Sequence, residues 1–450
     1  MKKILQLTKR ILGNKLTKQV RPIGHGVKSK LAAFRFGNPS KSLKIIAITG
    51  TKGKTTTTVF TGRLMNLVGI KTGFISTAVL CVDGVKEIIN PYKMTSIDGF
   101  YLQKYLREMV HNGCEYVVLE MSSQGLEQNR HWGLNPFDTG VFLNLYPEHL
   151  EAHGGMDNYL ACKTKLFEHL KPSGKVVLVG DPDQQEFVKK IVQILPATVK
   201  KTYLAQERDY RFLNHSSLLK KILKFGNLTI PTNQIADFEL KNLAFAIEIT
   251  NSIKPILNAD LAGVVSQMRS TVPGRMELAV DNLEKNISEH TYHLSILVDY
   301  AHEPESLRQL MKTLDGWRKD GQFTHLMHVI SSDGAGRDDW KKPVMGEISF
   351  KVVDKLIITT DNFDAGDNPA DIVRLLGENI PDGSPNVFSD LRRRDAFTRA
   401  LGLAQQIAVG CDGAKILIVS TNVGSEEGLT QPEGLIEWDE VEIWKEMTTR

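Results

Sequence analysis

Seven residues constrain this chain more than any others: Gly50-Thr51-Lys52-Gly53-Lys54-Thr55-Thr56. They follow Leu-Lys-Ile-Ile-Ala-Ile-Thr, residues 43–49, a short β-branched apolar run that reads as a strand. A helical pattern through Leu64, Leu67 and Val68 comes after them and stops at Gly69. Successive backbone N–H groups in such a turn, backed by a helix N-terminus, form an anion cradle. Gly53 lets the backbone approach a phosphate without a Cβ clash. Lys54 supplies a cation for the β- and γ-phosphates, and the Thr55 hydroxyl is placed to ligate Mg²⁺. In the usual phosphate loop the first glycine lies five residues before the second; that position is Ile48 here, and Gly50 takes over. A plain strand-to-helix turn would leave a lysine and four threonines at the start of a helix unexplained.

The strand–helix alternation recurs. Tyr116–Glu120, Thr139–Asn144 and Lys175–Val179 read as strands, with helical stretches at Phe100–His111 and Met156–Leu170. After Pro273-Gly274 a second series places strands at His293–Asp299, Thr324–Ser331, Lys355–Thr360 and Lys415–Ser420. The helices between these are expected at Pro304–Trp317, Val344–Phe350 and Arg394–Ala408. The fold class is therefore α/β: a central, doubly wound, mostly parallel sheet of the phosphate-loop type, then a C-terminal Rossmann-like α/β domain. The expected organisation is a basic segment over 1–43, a central nucleotide-binding domain over 44–272 and a C-terminal domain over 273–450. Residues 200–236 read as irregular, with room for only a small excursion.

Composition sets the outer limits. Hydrophobic residues make up 41% of the 450 and charged residues 24%, which excludes disordered and collagen-like chains. No apolar run approaches the roughly 18 residues of a membrane span. The four cysteines sit far apart, giving neither a zinc pattern nor a disulfide framework, and a reducing, cytoplasmic setting is expected. The net charge of +4 hides an asymmetry. Residues 1–44 hold twelve Lys/Arg and no Asp or Glu, so the other 406 carry a net −8. The head is either a solubilising tail or, through Ile4, Leu7, Ile11 and Leu12 among Lys2, Lys3, Lys9 and Arg10, a short basic amphipathic helix. Such a helix can touch an anionic membrane surface. No nucleic-acid partner is expected, and the chain is taken as a monomer.

The loop phrase Thr49-Gly50-Thr51-Lys52-Gly53-Lys54-Thr55-Thr56 resembles the ATP loop of the Mur ligases of cell-wall synthesis. Further matches follow in order. Glu120-Met121-Ser122-Ser123-Gln124-Gly125-Leu126 with Arg130 is similar to that family's Glu-x-Ser-Ser-His-x-Leu…Arg. Asn144-Leu145, then Glu148-His149-Leu150-Glu151-x-His153-Gly154, resembles its Asn-Leu…Asp-His-Leu-Asp-x-His-Gly. Asn158-Tyr159-x-Ala161-x-Lys163, Pro273-Gly274-Arg275-Met276-Glu277, Val298-Asp299-Tyr300-Ala301-His302 and Gly334 to Pro343 continue the series. Together they span about residues 44–370. The chain is most similar to the branch that adds the third amino acid to UDP-N-acetylmuramoyl dipeptide (the MurE branch). That branch opens with a separate uridine-binding domain, where this chain has about 43 residues. It departs again at Asp361-Asn362-Phe363-Asp364, where the diaminopimelate-adding enzymes carry Asp-Asn-Pro-Arg. A third departure is Thr421-Asn422-Val423-Gly424-Ser425, in place of their Gly-Lys-Gly-His-Glu.

The resemblance implies an ATP- and Mg²⁺-dependent amide ligase acting through an acyl phosphate in peptidoglycan precursor synthesis. Its partners would be a UDP-muramoyl-peptide-like substrate and an amino acid. The catalytic set is then Lys54, Glu120, His149 and Lys163. Thr55, Glu120, His149 and a carbamylated Lys163 would be the metal ligands. Glu120 and His149 follow strands, where such ligands gather; alone, His149 would be an ordinary histidine, and alone, Lys163 a solvated helix lysine. ATP would meet Gly50 to Thr56, together with Asn242, Arg275 and Asp299. Asn242 is either a helix-surface amide or the counterpart of an adenine-contacting asparagine. Arg275 is either a linker salt-bridge residue or a γ-phosphate contact. Thr95, Ser96, Ser122 and Arg130 would hold the muramoyl end. Arg337 would take the α-carboxylate of the incoming amino acid, flanked by Asp361 and Asn362, which otherwise form a strand-end turn. Two rival readings stand: a folylpolyglutamate-synthase-like ligase, and a nucleotide-binding scaffold without catalysis. The serine–arginine segment and Asp299-Tyr300-Ala301-His302 favour the muramoyl branch over the first. Retention of the metal ligands argues against the second.

Overall fold

The computed structural model describes residues 22–449 except 93, 149–152, 207, 218–219, 233–235, 257 and 335–338. Two compact units divide the chain between Ser270 and Thr271, with the short segment 216–219 grouped with the second.

The first unit is built around Lys44–Thr49 (β1). It is buried at every position but the first, so it reads as an unbroken apolar run, as a strand covered on both faces must. Tyr116–Glu120 (β5) pairs parallel on one side and Phe137–Phe142 (β6) on the other. Thr72–Ile75 (β2), Val79–Cys81 (β3), Glu87–Ile89 (β4), Leu170–Val179 (β7) and Lys200–Leu204 (β8) complete an eight-stranded sheet. Its order is β4-β3-β2-β5-β1-β6-β7-β8. Only β3 runs against the others, pairing antiparallel with β2 and with the edge strand β4. Because its neighbours lie to either side, the carboxyl end of β1 is a switch point, where diverging connections leave a crevice. The phosphate loop leaves β1 there, and the helix Lys54–Leu67 is buried from Thr55 to Met65.

Two features depart from expectation. Residues 200–236 are not irregular: after β8 they form Tyr210–Ser217 (β9), Lys220–Phe225 (β10) and Leu228–Thr232 (β11), a three-stranded sheet in the order β11-β10-β9. The turn Gly226-Asn227 between two short apolar runs carries the hairpin signal. Before β1, a helix occupies residues 22–35, despite Gly24 and Gly26. The basic amphipathic segment around Ile4, Leu7, Ile11 and Leu12 lies outside the described residues.

The second unit opens with an antiparallel hairpin, Glu277–Ile287 (β12) and His290–Val298 (β13). Register shifts along β12 and positive φ at Asn282 and Ser288 break its alternation, which hides it from a periodicity reading. Four parallel strands follow: His325–Ile330 (β14), Lys355–Ile358 (β15), Val387–Ser389 (β16) and Ala414–Ser420 (β17). The sheet order is β12-β13-β17-β14-β15-β16. A small hairpin, Gly428–Gln431 (β18) and Gly434–Glu437 (β19), stands apart. In the core, the rings of Phe397 and Trp444 stack at 3.8 Å. Among the described residues no helix is long and apolar enough to cross a membrane.

Candidate active site

In the first unit the loop after β1 is held from the next strand. Asn144, just past β6, accepts from the backbone N–H of Thr51 (3.0 Å) and of Lys52 (2.8 Å) through Oδ1. Its Nδ2 donates to the Lys52 carbonyl (3.1 Å). The Thr51 hydroxyl accepts from Tyr146 N at 3.0 Å and meets the Tyr159 hydroxyl at 3.2 Å. Thr51 and Lys52 thus give their N–H groups to Asn144. The N–H groups offered to an anion are those of the helix's first turn, which includes Lys54, Thr55 and Thr56. Gly53 caps that helix at φ 80°, in the left-handed region. A Cβ there would overlap the Asn242 amide, so the two residues are pressed together. This places Asn242 against the loop itself, with its Oδ1 3.4 Å from the Thr57 hydroxyl. The Lys54 ammonium donates to the Thr51 carbonyl at 2.8 Å.

Glu120, at the end of β5, is buried. Thr55 Oγ1 stands 3.1 and 3.0 Å from its two oxygens, and the Thr77 N–H and hydroxyl donate to Oε2 at 2.6 and 2.9 Å. Among the described residues its partners are hydroxyls and one amide, none of them a cation. A buried carboxylate beside a helix-opening threonine, with no counter-charge, is a fitting donor set for Mg²⁺, which takes hard oxygen ligands.

Lys163 lies on the helix Met156–Glu168, one turn from Tyr159. Its ammonium donates to the Gly50 carbonyl at 2.7 Å and sits 4.4 Å from the centre of the Tyr159 ring. It is fully enclosed, and among the described residues no carboxylate pairs with it. Burial pushes its pKa well below the ordinary lysine value, and the charge of Lys54 adds to the fall.

Lys54, Thr95, Ser96, Ser122, Arg130 and Lys163 line one cleft of about 260 Å³. Ser96 Oγ accepts from Ser122 N at 3.0 Å, and Arg130 donates to the Ser96 carbonyl. Ser122 also caps the helix Ser123–Glu127 by accepting from Gly125 N at 3.0 Å. Thr95 meets the Thr77 hydroxyl at 3.0 Å. Of the first-unit candidates, His149 lies outside the described residues.

In the second unit the candidates gather behind the carboxyl ends of the strands. Asp299, after β13, accepts from Met276 N (2.9 Å) and Ala301 N (2.8 Å). The Arg275 guanidinium lies 4.1 Å from the centre of the half-buried Tyr300 ring. Asp361, beyond β15, accepts from the Ser331 hydroxyl (2.8 Å), the Asn422 amide and Asn362 N. Burial, with the Asp333 charge adding to it, raises the Asp361 carboxyl to about 7. The Asn362 side chain accepts from Thr430 N (2.8 Å) and donates to Glu426 (3.1 Å), so this segment is a braced turn. Arg337 lies outside the described residues.

Three residues without an expected role stand at the centre of this geometry. Asn144 carried a motif match but no spacing cue, because its partner loop is 92 positions away. Thr77 carried none. Tyr159 was legible: it precedes Lys163 by four on a helix, which puts both on one face.

Comparison with known proteins agrees with this architecture. Residues 48–250 match the Mur ligase middle domain, and residues 274–413 match the Mur ligase, glutamate ligase domain. A UDP-N-acetylmuramoyl-L-alanyl-D-glutamate–2,6-diaminopimelate ligase of Clostridium perfringens is 30% identical over 415 residues, covering 91% of this chain and 79% of that protein. A UDP-N-acetylmuramyl-tripeptide synthetase of Deinococcus radiodurans is 30% identical over 417 residues, with the same coverage of 91% and 79%. Among solved structures, a folylpolyglutamate synthase of Mycobacterium tuberculosis shares the fold at TM-score 0.68 and 15% identity, covering 94% of this chain and 96% of that one. A UDP-N-acetylmuramoyl-L-alanyl-D-glutamate–2,6-diaminopimelate ligase does so at TM-score 0.56 and 24% identity, covering 94% and 84%. The backbone alone does not separate these two ligase classes, but the sequence matches over both units do: the chain belongs to the Mur ligase family.

Proposed function

We propose that the chain is an ATP-dependent ligase that joins an amino acid to the carboxylate of a UDP-N-acetylmuramoyl-dipeptide-like substrate, in peptidoglycan precursor synthesis. The observation that carries this reading is Lys163. A fully buried lysine that forms no ion pair among the described residues, bonded to the phosphate loop and lining the same cleft as Ser96, Ser122 and Arg130, is costly for folding alone and is accounted for by chemistry at that cleft.

A carboxylate and an amine do not condense in neutral water without activation. In the proposed reaction a carboxylate oxygen attacks the γ-phosphorus of ATP, the bond to the β-phosphate oxygen breaks, and ADP leaves. The amine then attacks the acyl carbon, the bond to phosphate breaks, and the amine gives up its proton. Negative charge concentrates on the phosphoryl oxygens in the first step. The first-turn N–H groups and the Lys54 ammonium would meet that charge, and preorganised donors need no reorganisation. Thr55 and Glu120 would hold Mg²⁺, joined by His149 and Lys163 if it carries a carbamate. Held there, the ion would supply neutralisation of phosphate charge. The depressed Lys163 pKa supports the carbamate, because the neutral amine is the form that adds CO₂. Arg130 suits the peptide carboxylate through a bidentate fork. Asp299 is assigned to the ribose hydroxyls, and Arg275, Arg337, Asp361 and Asn362 to the γ-phosphate and the incoming amino acid. The four free cysteines, three of them buried, support a reducing compartment such as the cytoplasm.

The test is phosphate release with ATP, Mg²⁺ and UDP-N-acetylmuramoyl-L-alanyl-D-glutamate across a panel of amino acids. Release that requires both the nucleotide-linked dipeptide and an amino acid supports the reading. Release with a folate and glutamate instead would transfer the chain to the folylpolyglutamate class. No release with either would leave a scaffold.

A further inference from the structure

The helix over residues 22–35 is mounted backwards for a soluble protein. Its large apolar side chains face solvent: Ile23 is 54% exposed, Val27 47%, Leu31 65% and Phe34 81%. At about 100° per residue these four positions fall within roughly 80° of arc. The opposite side carries the small residues Gly26, Ser29, Ala32 and Ala33, all buried against the first unit. That seat is fixed. A Cβ at Gly26 would overlap the Trp132 ring, and one at Gly99 or Gly133 would overlap Ser29. Lys28 pairs with Asp98 at 2.8 Å, and the Lys30 ammonium lies 5.0 Å from the Trp132 ring. The helix therefore cannot roll to bury its apolar stripe, because Leu or Phe would not fit where the glycines and Ser29 meet.

We propose that this stripe is a lipid-docking face that seats the enzyme on an anionic bilayer surface. Charge selects that occupant. Residues 1–44 carry twelve Lys/Arg and no Asp or Glu, and Lys28, Lys30 and Arg35 flank the stripe. Two copies meeting through this face would bring like charges together, whereas an anionic headgroup layer attracts them. An apolar stripe bordered by lysines and arginines is the pattern of a helix lying in the interface, with its apolar side chains in the acyl boundary and its cations at headgroup level. Each contributes what the other lacks: basic charge draws the chain to the surface, and the four apolar side chains hold it there. This inference stands apart from the ligase reading, since none of these residues belongs to the cleft.

The test is co-sedimentation of the full chain with vesicles of phosphatidylglycerol and phosphatidylethanolamine, against pure phosphatidylcholine. Binding to the anionic vesicles is expected, weakening as salt rises. The double variant Leu31→Gln/Phe34→Gln keeps every charge and should bind about a hundredfold more weakly, since each buried Leu or Phe is worth about tenfold or more in partitioning. Its thermal midpoint and its phosphate release without vesicles should match the wild type, because both positions are exposed. Equal binding by wild type and double variant would overturn the proposal in favour of purely electrostatic attraction by the basic head. Absence of binding to anionic vesicles at low salt would overturn it outright. A concentration-dependent dimer in light scattering that the double variant abolishes would reassign the stripe to a second copy of the chain.

Discussion

Two charged clusters, one in each unit, are buried in opposite ways. At the strand ends of the second unit, Arg393 and Glu440 are 2% and 0% exposed and form a two-bonded ion pair. Neutral groups complete the pair. Arg393 donates to Ser331 Oγ (2.6 Å) and to the Thr421 carbonyl (2.9 Å), and Trp438 Nε1 donates to Glu440 (2.7 Å). His328 is held by the hydroxyls of Ser349 and Thr421 at 3.1 and 2.9 Å. In the first unit, Lys163 and Glu120 are also enclosed, but neither forms an ion pair with a described residue, and the nearby Glu148 charge only partly offsets the burial of Lys163. A paired, hydrogen-bonded network is what folding alone selects; an enclosed charge without one marks a candidate functional site.

The comparison breaks first at Arg393. Arg393→Ala leaves Glu440 buried and unpaired, and should lower stability by about 3–5 kcal/mol, read in chemical denaturation of the second-unit transition. A loss under about 1 kcal/mol would put Arg393 outside the structural class. Next come the groups at the loop. Lys54→Ala or Glu120→Ala should cost on the order of 10²–10³ in kcat, the loss typical of one preorganised electrostatic group, with folding retained by circular dichroism. Near-wild-type turnover in both variants would remove the catalytic assignment.

A smaller effect separates two buried titrating groups within the second unit. Burial lowers His328 from 6.5 to about 3, so its neutral form is favoured in the folded state. The stability it supports is complete above pH 6.5 and is lost as pH falls toward 3. Asp361 is shifted the other way, from 3.8 to about 7, so it erodes stability as pH rises through that range. The two oppose each other between pH 4 and 6.5. The thermal midpoint of His328→Gln relative to wild type should therefore climb as the solution is acidified from pH 6.5 to 4. That of Asp361→Asn should climb as pH is raised from 4 to 7. Parallel curves for all three proteins would refute both assignments. The smallest effect concerns the amino acid. Asp364, exposed at the position where the diaminopimelate-adding enzymes carry arginine, favours a far end that is an amine without a carboxylate. The rival reading, in which Arg392, Arg393 or Arg394 binds a distal carboxylate, loses Arg393 to its buried pair with Glu440, while Arg392 and Arg394 stay in contention. A kcat/KM higher for L-lysine than for meso-diaminopimelate is expected in competition kinetics, and the reverse order defeats the charge argument.

What the sequence revealed followed from how local each requirement is. Gly50 to Thr56 were legible because a phosphate turn is specified by adjacent residues, and Glu120 because strand ends collect ligands. Asn144 acts on Thr51 and Lys52 only because β6 lies beside β1, a pairing that no short window contains. The helix over 22–35 shows the limit of periodicity. Ile23, Val27, Leu31 and Phe34 recur at helical spacing, and spacing alone would turn them inward. Gly26 and Ser29, through their close approach to Trp132, Gly99 and Gly133, decide the orientation instead.

The most direct test of the account compares Lys163→Met with wild type in two readouts on the same preparation. Removing an unpaired buried ammonium relieves a desolvation cost, so the thermal midpoint at pH 7 should hold or rise. Amino-acid-dependent phosphate release should fall on the order of 10² or more. Lost stability with retained turnover would contradict the claim that this lysine is buried for chemistry and not for the fold.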